Sequence, residues 1–397
     1  MKKQQTIAVG ISGGVDSAMA AWLLMQQGYE VIGLTMSIWD SSIPLTESTK
    51  SGCFGPGEKD DLLAAEQLCA KLGIRHHIVR LQGEYKENVL SYFCGTYREG
   101  KTPNPCLMCN ARMKFGLLPL KAREQGIAFD LFATGHYVKV RYDAAIQRYQ
   151  LLRALDKSKD QSYFLSFLTQ EQLKKLIFPL GSKTKSEIKE LAKEIGFAEL
   201  AHKKESQDFL ESDDIAVLFP EGSYSPGEIV DHHGKRLGTH KGLISYTIGQ
   251  RRNLGVSGLP EPYFVIELDA ENNRVVLGPK SLLYKDECLA TSVNWLSLPP
   301  QSEPFKARAK IRLQHEAAEC LVIPLDGNRL RVKFTEPQLS ITPGQGLVIY
   351  ASECLCLTGK AVPSSRRLFN RQDAGSTLPV RNGNSQADMV IAGGIID

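Results

Sequence analysis

Apolar and polar positions along the first part of the chain predict strands and helices in alternation. Short apolar runs typical of buried strands are followed by longer segments with apolar residues at helical spacing. The predicted strands are Thr6–Ile11, Glu30–Ser37, Arg75–Arg80 and Leu131–Thr134, and the predicted helices are Ala18–Gln27, Lys59–Leu72, Lys86–Tyr97 and Ala111–Glu124. This alternation predicts a parallel sheet covered by helices on both faces, with ligands bound at the carboxyl ends of the strands.

The pattern changes twice further along the chain. Between Asp160 and about Leu218 it is helical, with apolar residues at helical spacing in Gln170–Ile177 and Lys185–Ile195. From Pro220 onward, glycine and proline separate short alternating segments that are typical of small β-barrels. We therefore expect an α/β domain over residues 1–158, a small helical central domain over 159–220 and an all-β region over 221–397, with a polar insertion near 364–387.

Composition narrows the class of protein. The 397 residues are 42% hydrophobic, which suits globular domains with real cores. No apolar run approaches the ~20 residues of a membrane-spanning helix, so we expect a cytoplasmic protein without a membrane partner. The net charge of +4 is compatible with nucleic-acid binding and also with many enzymes of small molecules. The nine cysteines are expected as free thiols, metal ligands or nucleophiles.

The segment Ser12–Ser17, with the sequence SGGVDS, lies between the first predicted strand and the first predicted helix. Its paired glycines leave backbone amides open, and the positive end of the helix dipole completes a cradle for an anion such as phosphate. The Gly-Lys-Ser/Thr ending of kinase-type loops is missing, so no lysine of the loop reaches a γ-phosphate. The loop resembles that of the ATP pyrophosphatase group, whose members cleave ATP between the α- and β-phosphates. An ordinary strand-to-helix turn is the alternative.

A second candidate site is the pair Cys106 and Cys109 within the segment TPNPCLMCN, residues 102–110. The two prolines oppose helix, and Asn110 is expected to cap the helix that follows. Cys109 would then lie at a helix N-terminus, where the dipole lowers the pKa of a thiol, and Lys114 would act in the same direction. The pair is therefore expected as an activated thiolate or as two metal ligands.

The glycine-rich loop Ser51–Glu58 carries Cys53 and is expected at the same edge of the sheet as SGGVDS. Three thiolates, from Cys53, Cys106 and Cys109, would suit a 4Fe–4S cluster with one open iron. Zinc is the competing metal, although it usually takes a fourth protein ligand. A buried loop thiol without a function is the alternative for Cys53.

Segments spread over most of the chain resemble the tRNA-specific 2-thiouridylase family. They are SGGVDS (12–17), TPNPCLMCN (102–110), ATGHY (133–137), KDQSYFL (159–165), ESQDF (205–209), SYTIGQRRNLG (245–255) and FTEPQLSITPGQ (334–345). The resemblance implies an ATP pyrophosphatase domain with an adenine nucleotide α-hydrolase-like fold, a small central domain and a C-terminal β-barrel. It also implies that ATP adenylates C2 of the wobble uridine of tRNA, position 34, and that sulfur then replaces the oxygen with release of AMP and pyrophosphate.

The resemblance implies roles for particular residues. The implied ATP contacts are Gly10, Ile11, Ser12, Gly13, Gly14, Val15, Asp16, Ser17, Met36 and Gly135. The implied tRNA contacts are Asn104, Pro105, Cys106, His136, Lys159, Asp160, Gln161, Arg312 and Gln345. Cys109 matches the nucleophile of the family, and the carboxylate of Asp16 is the expected partner of the Mg²⁺ that accompanies ATP.

Two departures from the family pattern leave the sulfur chemistry open. Cys106 stands where most members have an aspartate, and the second cysteine that most members carry after the ESQD segment is missing. One hypothesis makes Cys53, Cys106 and Cys109 ligands of an iron–sulfur cluster, with a sulfide on the open iron. The other keeps Cys109 as a persulfide-type nucleophile and Cys106 as the resolving thiol. The sulfur donor, a protein or sulfide, is not identified by the sequence.

Two other function classes share part of this pattern. A small-molecule synthetase of the ATP pyrophosphatase group would need SGGVDS but neither TPNPCLMCN nor a β-barrel. A non-catalytic RNA-binding protein that retained the fold would have no need of an intact loop with Asp16.

Overall fold

The computed structural model describes residues 5–45, 52–202, 208–220, 222–259, 261–352 and 388–397. The polar insertion expected near 364–387 and the first residues of the ESQDF segment lie outside these ranges. Within them, the fold class expected from the sequence is confirmed, because a parallel α/β sheet comes first and a closed β-barrel comes last.

The first half of the chain alternates strands and helices. Its strands are β1 (Thr6–Gly10), β2 (Glu30–Ser37), β3 (Gly52–Phe54), β4 (Arg75–Arg80), β5 (Leu131–Thr134), β6 (Val138–Asp143), β7 (Arg148–Arg153), β8 (Leu176–Ile177) and β9 (Asp208–Leu210). Its α-helices are α1 (Val15–Gln26), α2 (Glu58–Leu72), α3 (Gln82–Tyr85), α4 (Ser91–Arg98), α5 (Pro105–Met108), α6 (Leu118–Glu124), α7 (Gln170–Leu173), α8 (Lys185–Glu194) and α9 (Ala198–His202). Two π-helical segments, Lys86–Leu90 and Cys109–Leu117, continue α3 and α5, and 3₁₀ turns cover Ser162–Leu165 and Ile215–Leu218.

Five of these strands form a parallel sheet in the order β4–β2–β1–β5–β8. β1 lies at its centre, with Ile7 opposite both Val31 of β2 and Leu131 of β5. Ile7, Ala8 and Val9 are fully buried, as expected of a parallel strand covered on both faces. Because β1, β2 and β5 run in the same direction, their carboxyl ends meet at one edge of the sheet.

Side chains of β1 alternate between two cores, one on each face of the sheet. Val9 belongs to the core that contains Met19 of α1 and Ile188 of α8. Ala8 belongs to the opposite core, which contains Phe115 from the π-helical segment. The helices that carry the two candidate sites are therefore anchored to the same central strand.

The segment 159–220, expected as a small helical domain, packs against the N-terminal sheet. β8 lies within Gln170–Ile177, where the sequence predicted only helix, and pairs Leu176 with Phe132 of β5. α8 shares its core with α1, through Ile188. The boundaries at 158 and 220 stay predictions, while the packing joins these helices to the sheet.

The second half of the chain is built from strands. They are β10 (Gly227–Asp231), β11 (Arg236–His240), β12 (Tyr263–Asp269), β13 (Arg274–Pro279), β14 (Tyr284–Trp295), β15 (Phe305–Lys310), β16 (Ala318–Leu325), β17 (Arg329–Leu339), β18 (Gly346–Ala351) and β19 (Val390–Ile396), with 3₁₀ turns at Leu243–Ser245 and Lys280–Leu283. The first four form a sheet in the order β11–β10–β13–β12, and the last six form a closed barrel in the order β14–β17–β16–β15–β18–β19. β19 closes the barrel because it pairs with both β14 and β18.

The barrel packs directly on the N-terminal unit. Val348 and Tyr350 of β18 belong to the same core as Ala8 of the central strand. The hydroxyl of Tyr163 donates a hydrogen bond to the carbonyl of Gly346 at 3.1 Å. The start of β18 is thereby held against the KDQSYFL segment.

Candidate active site

The expected phosphate loop lies between β1 and α1 at the carboxyl edge of the sheet. α1 begins at Val15 with Gly14 at the N-cap position, and no side chain caps it, so its first amides are left for a ligand or water. Gly13 has a φ of 70°, a left-handed conformation that favours glycine. The hydroxyl of Ser17 donates to the carbonyl of Gly14 at 2.9 Å and accepts from the amide of Ser12 at 3.3 Å. The glycines and serines of the loop thus shape an anion cradle.

Gly10, Met36 and Gly135, also expected at ATP, lie at the same edge of the sheet as the loop. Gly10 ends β1, and Met36 is near the end of β2. Gly135 follows β5, and a Cβ there would lie 2.6 Å from the carbonyl carbon of Asp16 and 2.8 Å from the amide nitrogen of Ser17. Two backbones approach so closely here that only glycine fits. The structure brings these residues together, and their contact with ATP stays a prediction.

Asp16 has two partners that the sequence did not indicate. Nζ of Lys185, the first residue of α8, lies 2.8 Å and 2.7 Å from the two carboxylate oxygens. The hydroxyl of Tyr137 donates to Oδ1 of the same carboxylate at 2.9 Å. The loop contains no lysine, but α8 supplies an ammonium group from 169 positions further along the chain. No local pattern signals this contact, because it depends on how α8 packs against α1.

The helix that carries Cys106 and Cys109 begins earlier than predicted. α5 starts at Pro105, with Asn104 at the N-cap position. Proline suits the first helical position because its missing amide hydrogen is not needed there. Asn110 therefore does not cap a helix, and its side-chain amide donates to the carbonyl of Cys106 at 2.9 Å. Cys109 lies one turn inside the helix instead of at its start.

The two thiols are not activated by this arrangement. Burial raises the pKa of Cys109 to about 12 and that of Cys106 to about 11. The charge of Lys114 lowers both pKa values but does not outweigh the loss of solvation. The expectation of a lowered thiol pKa is therefore wrong, because both groups are desolvated by the surrounding protein and neither faces a free helix N-terminus.

Lys114 lies in the π-helical segment Cys109–Leu117, which directly continues α5. Such widened helical turns are frequent at functional sites. The ammonium of Lys114 favours the thiolate form of the three candidate thiols and the neutral form of His136. The sequence indicated Lys114 only as a neighbour of the Cys109 thiol, whereas the structure makes it the shared charge of the site.

Cys53 lies on the short strand β3, which pairs in parallel with β9, and its side chain is exposed. The carbonyl of Phe54 accepts the amide of Glu211 at 3.1 Å, and the amide of Gly57 donates to the Glu211 carboxylate at 2.8 Å. A Cβ at Gly55 or Gly57 would overlap that carboxylate. The loop is thus wrapped around Glu211, and Cys53 is fixed beside the strand that contains the end of the ESQDF segment.

The three candidate thiols influence one another but do not form a metal site. A charge on Cys53 raises the pKa of both Cys106 and Cys109. Although Cys53 is exposed, the surrounding protein desolvates its thiol and raises its pKa, so all three residues favour the thiol when no metal is bound. Across the described ranges, no three His, Cys, Asp or Glu side chains are placed to hold a metal ion. Cys53, Cys106 and Cys109 are therefore not grouped as metal ligands in this arrangement, and cluster ligation stays a prediction.

Two residues expected at tRNA have partners inside the protein. The carboxylate of Asp160, whose side chain is 3% exposed, accepts from Nε of Arg153 at 3.1 Å and from the hydroxyl of Ser162 at 2.8 Å. The side chain of Gln161 accepts the amide of Tyr137 at 2.9 Å. These bonds fix the KDQSYFL segment against the chain that follows β5. A role of either residue in tRNA binding stays a prediction.

Gln345 and Arg312, also expected at tRNA, hold segments of the chain together. The side-chain amide of Gln345 donates to the carbonyls of Thr102 and Pro103 at 3.0 Å and 3.1 Å. Nη1 of Arg312 donates to the carbonyl of Leu339 at 3.0 Å. Through Gln345 the barrel therefore contacts the residues that immediately precede Cys106.

The structure also describes Asn104, Lys159 and His136, which are expected at tRNA. The amide of Asn104 donates to the hydroxyl of Tyr92 at 3.3 Å, and Lys159 is half-buried. Nδ1 of His136 lies 2.8 Å from the hydroxyl oxygen of Thr134. Burial and the charge of Lys114 hold the pKa of His136 well below its ordinary value, so its imidazole is neutral at pH 7.

Comparison with known protein families first identifies the domains of the chain. Residues 5–210 match the family model "tRNA methyl transferase HUP domain", residues 217–279 match "tRNA methyl transferase PRC-barrel domain", and residues 264–360 match "Aminomethyltransferase beta-barrel domain". The three matches follow the order of the α/β unit, the small sheet and the barrel.

Comparison with individual proteins then shows to which family the chain belongs. The tRNA-specific 2-thiouridylase MnmA of Endomicrobium trichonymphae is 43% identical over 356 residues, which cover 89% of this chain and 98% of that protein. The protein of the same name from Trichormus variabilis is 44% identical over 354 residues, which cover 88% and 96%. The chain therefore belongs to the tRNA-specific 2-thiouridylase family.

Among solved structures, NMN synthetase from Francisella tularensis is 18% identical and has a TM-score of 0.31, with 51% of this chain and 67% of that chain covered. A likeness at this level supports no conclusion about the site.

Replacing Gly135 by alanine should distort the nucleotide loop. The new Cβ would lie within 2.8 Å of backbone atoms of Asp16 and Ser17, so the first turn of α1 must move. We expect Gly135→Ala to lower the free energy of unfolding by about 1–3 kcal/mol and to weaken ATP binding by about tenfold or more, equivalent to about 1.4 kcal/mol. Chemical unfolding and titration calorimetry measure the two effects.

Gly95→Ala is the matched control, because a Cβ at Gly95 in α4 meets no atom within 4 Å. This variant should keep the ATP affinity of the unmodified chain. Unchanged ATP affinity in Gly135→Ala would show that Gly135 does not belong to the predicted nucleotide site.

Proposed function

We propose that this chain is a tRNA 2-thiouridine synthase, which uses ATP to adenylate C2 of uridine 34 and then replaces the oxygen by sulfur. One junction in the structure carries the proposal. Gly135 contacts the phosphate loop. The ring of the next residue, His136, lies 5.4 Å from that of Phe115, which belongs to the π-helical segment that begins with Cys109. A nucleotide-activated base and a sulfur nucleophile can therefore meet in one site.

The first step is adenylation. The C2 oxygen of the uridine attacks the α-phosphorus of ATP, the bond to the bridging oxygen of the β-phosphate breaks, and pyrophosphate leaves with the electron pair. The amides at the start of α1 stabilise the negative charge of the phosphates. Mg²⁺ usually binds through one or two carboxylates together with substrate phosphates, and Asp16, which is 27% exposed, is the acidic side chain of the loop that fits this role.

We propose that the second step, sulfur transfer, uses thiols alone. The terminal sulfur of a persulfide on Cys109 attacks C2, the C2–O bond breaks, and AMP leaves. The thiolate of Cys106 then attacks Sγ of Cys109, so that the electron pair of the broken S–S bond passes to the sulfur of the new thiouridine. A Cys106–Cys109 disulfide remains, and an external thiol must reduce it.

Residue spacing supports the resolving role of Cys106. Positions three apart on a helix lie on the same face, so Cys106 and Cys109 can approach each other. Burial keeps both thiols protonated, so the reaction requires a group that accepts the proton of Cys106 when sulfur is transferred.

The proposed partners are tRNA and a sulfur donor, and whether the donor is a protein or sulfide stays open. A donor protein that carries a persulfide can pass its outer sulfur to the Cys109 thiolate, and the donor's own thiolate leaves. Sulfide can form the Cys109 persulfide only by attacking Sγ of Cys109 in the Cys106–Cys109 disulfide, with the thiolate of Cys106 as the leaving group. In the part of the chain that the structure describes, no helix has the length and apolar content needed to cross a membrane. A cytoplasmic location stays a prediction from the sequence.

The unmodified chain should release pyrophosphate from ATP in response to a tRNA with uridine at position 34, because the C2 oxygen of that base is the attacking group. Pyrophosphate and AMP are quantified, and 2-thiouridine is detected by nucleoside mass spectrometry. The control tRNA differs only in having adenosine at position 34, which has no C2 oxygen. Equal pyrophosphate release with both tRNAs would contradict the proposed function.

Single Cys→Ser variants distinguish the two sulfur hypotheses. If thiols alone act, Cys106→Ser and Cys109→Ser lose thiolation, whereas Cys53→Ser keeps it and iron-free protein is active. If the three residues hold one cluster, each variant loses iron and thiolation together. Adenylation should survive in every case, because the phosphate loop does not use the thiols.

The variants are purified and assayed without oxygen, with iron and acid-labile sulfide measured on the same samples. Cys94→Ser is the control, since Cys94 is buried and its thiol donates to the carbonyl of Leu218 at 3.4 Å, within a separate apolar cluster. Full iron content with full thiolation in Cys53→Ser would exclude the three-ligand cluster. Full thiolation in Cys106→Ser would exclude Cys106 as the resolving thiol.

A further inference from the structure

We propose that Asn110 positions the Cys106–Cys109 pair. Its side-chain amide holds the carbonyl of Cys106, so that both cysteines stay in one regular helical turn from which their sulfur atoms can join as a disulfide. This inference rests on the proposed function, in which that disulfide is what sulfur transfer leaves behind. It gives Asn110, which the sequence indicated only as a helix cap, a part in the sulfur chemistry.

The change of helix type beside the thiols is the first argument. α5 ends at Met108, and the amide of Cys109 still donates to the carbonyls of Pro105 and Cys106. The π-helical segment begins at Cys109. Residues three apart lie on the same face of a regular helix, whereas a π-helix needs more residues for each turn and would carry them further apart around its axis. The approach of the two thiols therefore depends on where the regular turn ends.

The bond that Asn110 makes lies at this boundary and is the second argument. Nδ2 of Asn110 donates to the carbonyl of Cys106 at 2.9 Å, four positions earlier in the chain. A regular helix would pair that carbonyl with the backbone amide of Asn110, so the side chain supports the same turn. The bond therefore ties the backbone of Cys106 to the residue that directly follows Cys109.

The other end of the same side-chain amide is the third argument. Asn110 is 6% exposed, and its Oδ1 is buried without a hydrogen-bond partner among the described residues. An unpaired buried acceptor generally costs at least as much free energy as a neutral hydrogen bond contributes. The stability of the fold therefore does not by itself account for an asparagine at this position, whereas a requirement to hold the carbonyl of Cys106 does.

The test measures how readily Cys106 and Cys109 form a disulfide in the full chain, with a chelator present to keep metals off the thiols. Without oxygen, the protein is equilibrated with mixtures of glutathione and glutathione disulfide. Glutathione disulfide takes up the two electrons and two protons of the thiols and becomes two molecules of glutathione. Samples are quenched with acid, free thiols are alkylated, and mass spectrometry determines the oxidised fraction of this pair. The assay needs neither ATP nor tRNA.

Threonine and valine at position 110 have the same shape and differ in one hydrogen-bond donor. The threonine hydroxyl can donate to the carbonyl four positions earlier, as Asn110 does, whereas valine cannot. Thiols that are held together less firmly have a lower effective concentration for each other. We therefore expect Asn110→Val to lower the disulfide equilibrium constant by about tenfold, the upper range for one lost neutral hydrogen bond. Asn110→Thr should stay within about threefold of the unmodified chain.

Asn88→Val is the matched control. Nδ2 of Asn88 donates to the carbonyl of Glu84 at 2.9 Å, also four positions earlier, and Asn88 lies in the other π-helical segment, Lys86–Leu90. This variant loses the same kind of bond outside the turn that carries the cysteines. Its disulfide equilibrium constant should change by less than about twofold, and a change as large as that of Asn110→Val would overturn the inference.

Thermal unfolding monitors the folding of each variant. If Asn110→Val does not fold, Asn110→Ser and Asn110→Ala supply the same comparison with smaller side chains, because serine also donates to such a carbonyl. Equal disulfide equilibria in the two folded members of either pair would overturn the inference, as would an unmodified chain that never forms the Cys106–Cys109 disulfide. A shift confined to the variants without a donor supports it even if no tRNA-dependent 2-thiouridine is found, an outcome that would refute only the proposed synthase.

Discussion

The ion pair between Asp16 and Lys185 joins the parts of the molecule that surround the predicted phosphate loop. Asp16 follows β1, Lys185 opens α8, and Tyr137, which donates to the same carboxylate, follows β5. Both charged side chains are largely withdrawn from water, and removing one partner of such a pair typically costs about 3–5 kcal/mol. Separating the phosphate loop from α8 would leave one of these charges without its partner. Gly135 allows the backbone that follows β5 to lie close to the start of α1.

Burial and charge have opposite effects on the pKa values of the two thiols in the cysteine helix. Cys106 and Cys109 lie inside a helix that begins at Pro105, so burial raises their pKa values and only Lys114 opposes it. Thiols with raised pKa values react slowly with electrophiles, because the thiolate is the nucleophile. The proposed chemistry therefore requires a base or a charged substrate that favours the thiolate. Cys53 lies on β3, which Glu211 and the paired β9 keep in place. In the proposed mechanism, the sulfur groups are therefore in place before they are activated.

Short-range patterns predicted much of this molecule. The four main strands of the sheet and the loop Ser12–Ser17 follow from apolar periodicity and paired glycines, and the structure has them within a residue or two. The start of the cysteine helix was missed because two prolines were taken to oppose helix, whereas Pro105 occupies the first helical position, where proline is favoured. Lys185 was missed for a different reason, since its contact with Asp16 spans 169 positions and depends on tertiary packing alone. The partner of Gln345 was likewise invisible to the sequence, because its bond to Thr102 joins segments that meet only in the folded chain.

The central claim is that the nucleotide loop and the thiols act in turn on one base. The most direct measurement follows ATP labelled in its α-phosphate, mixed with tRNA and the Cys109→Ser variant. If the two sites act in turn, pyrophosphate forms, the label becomes attached to the tRNA at uridine 34, and AMP is not released until a sulfur nucleophile is supplied. AMP release at the rate of the unmodified chain, or pyrophosphate formation that leaves the tRNA unlabelled, would contradict that order of events.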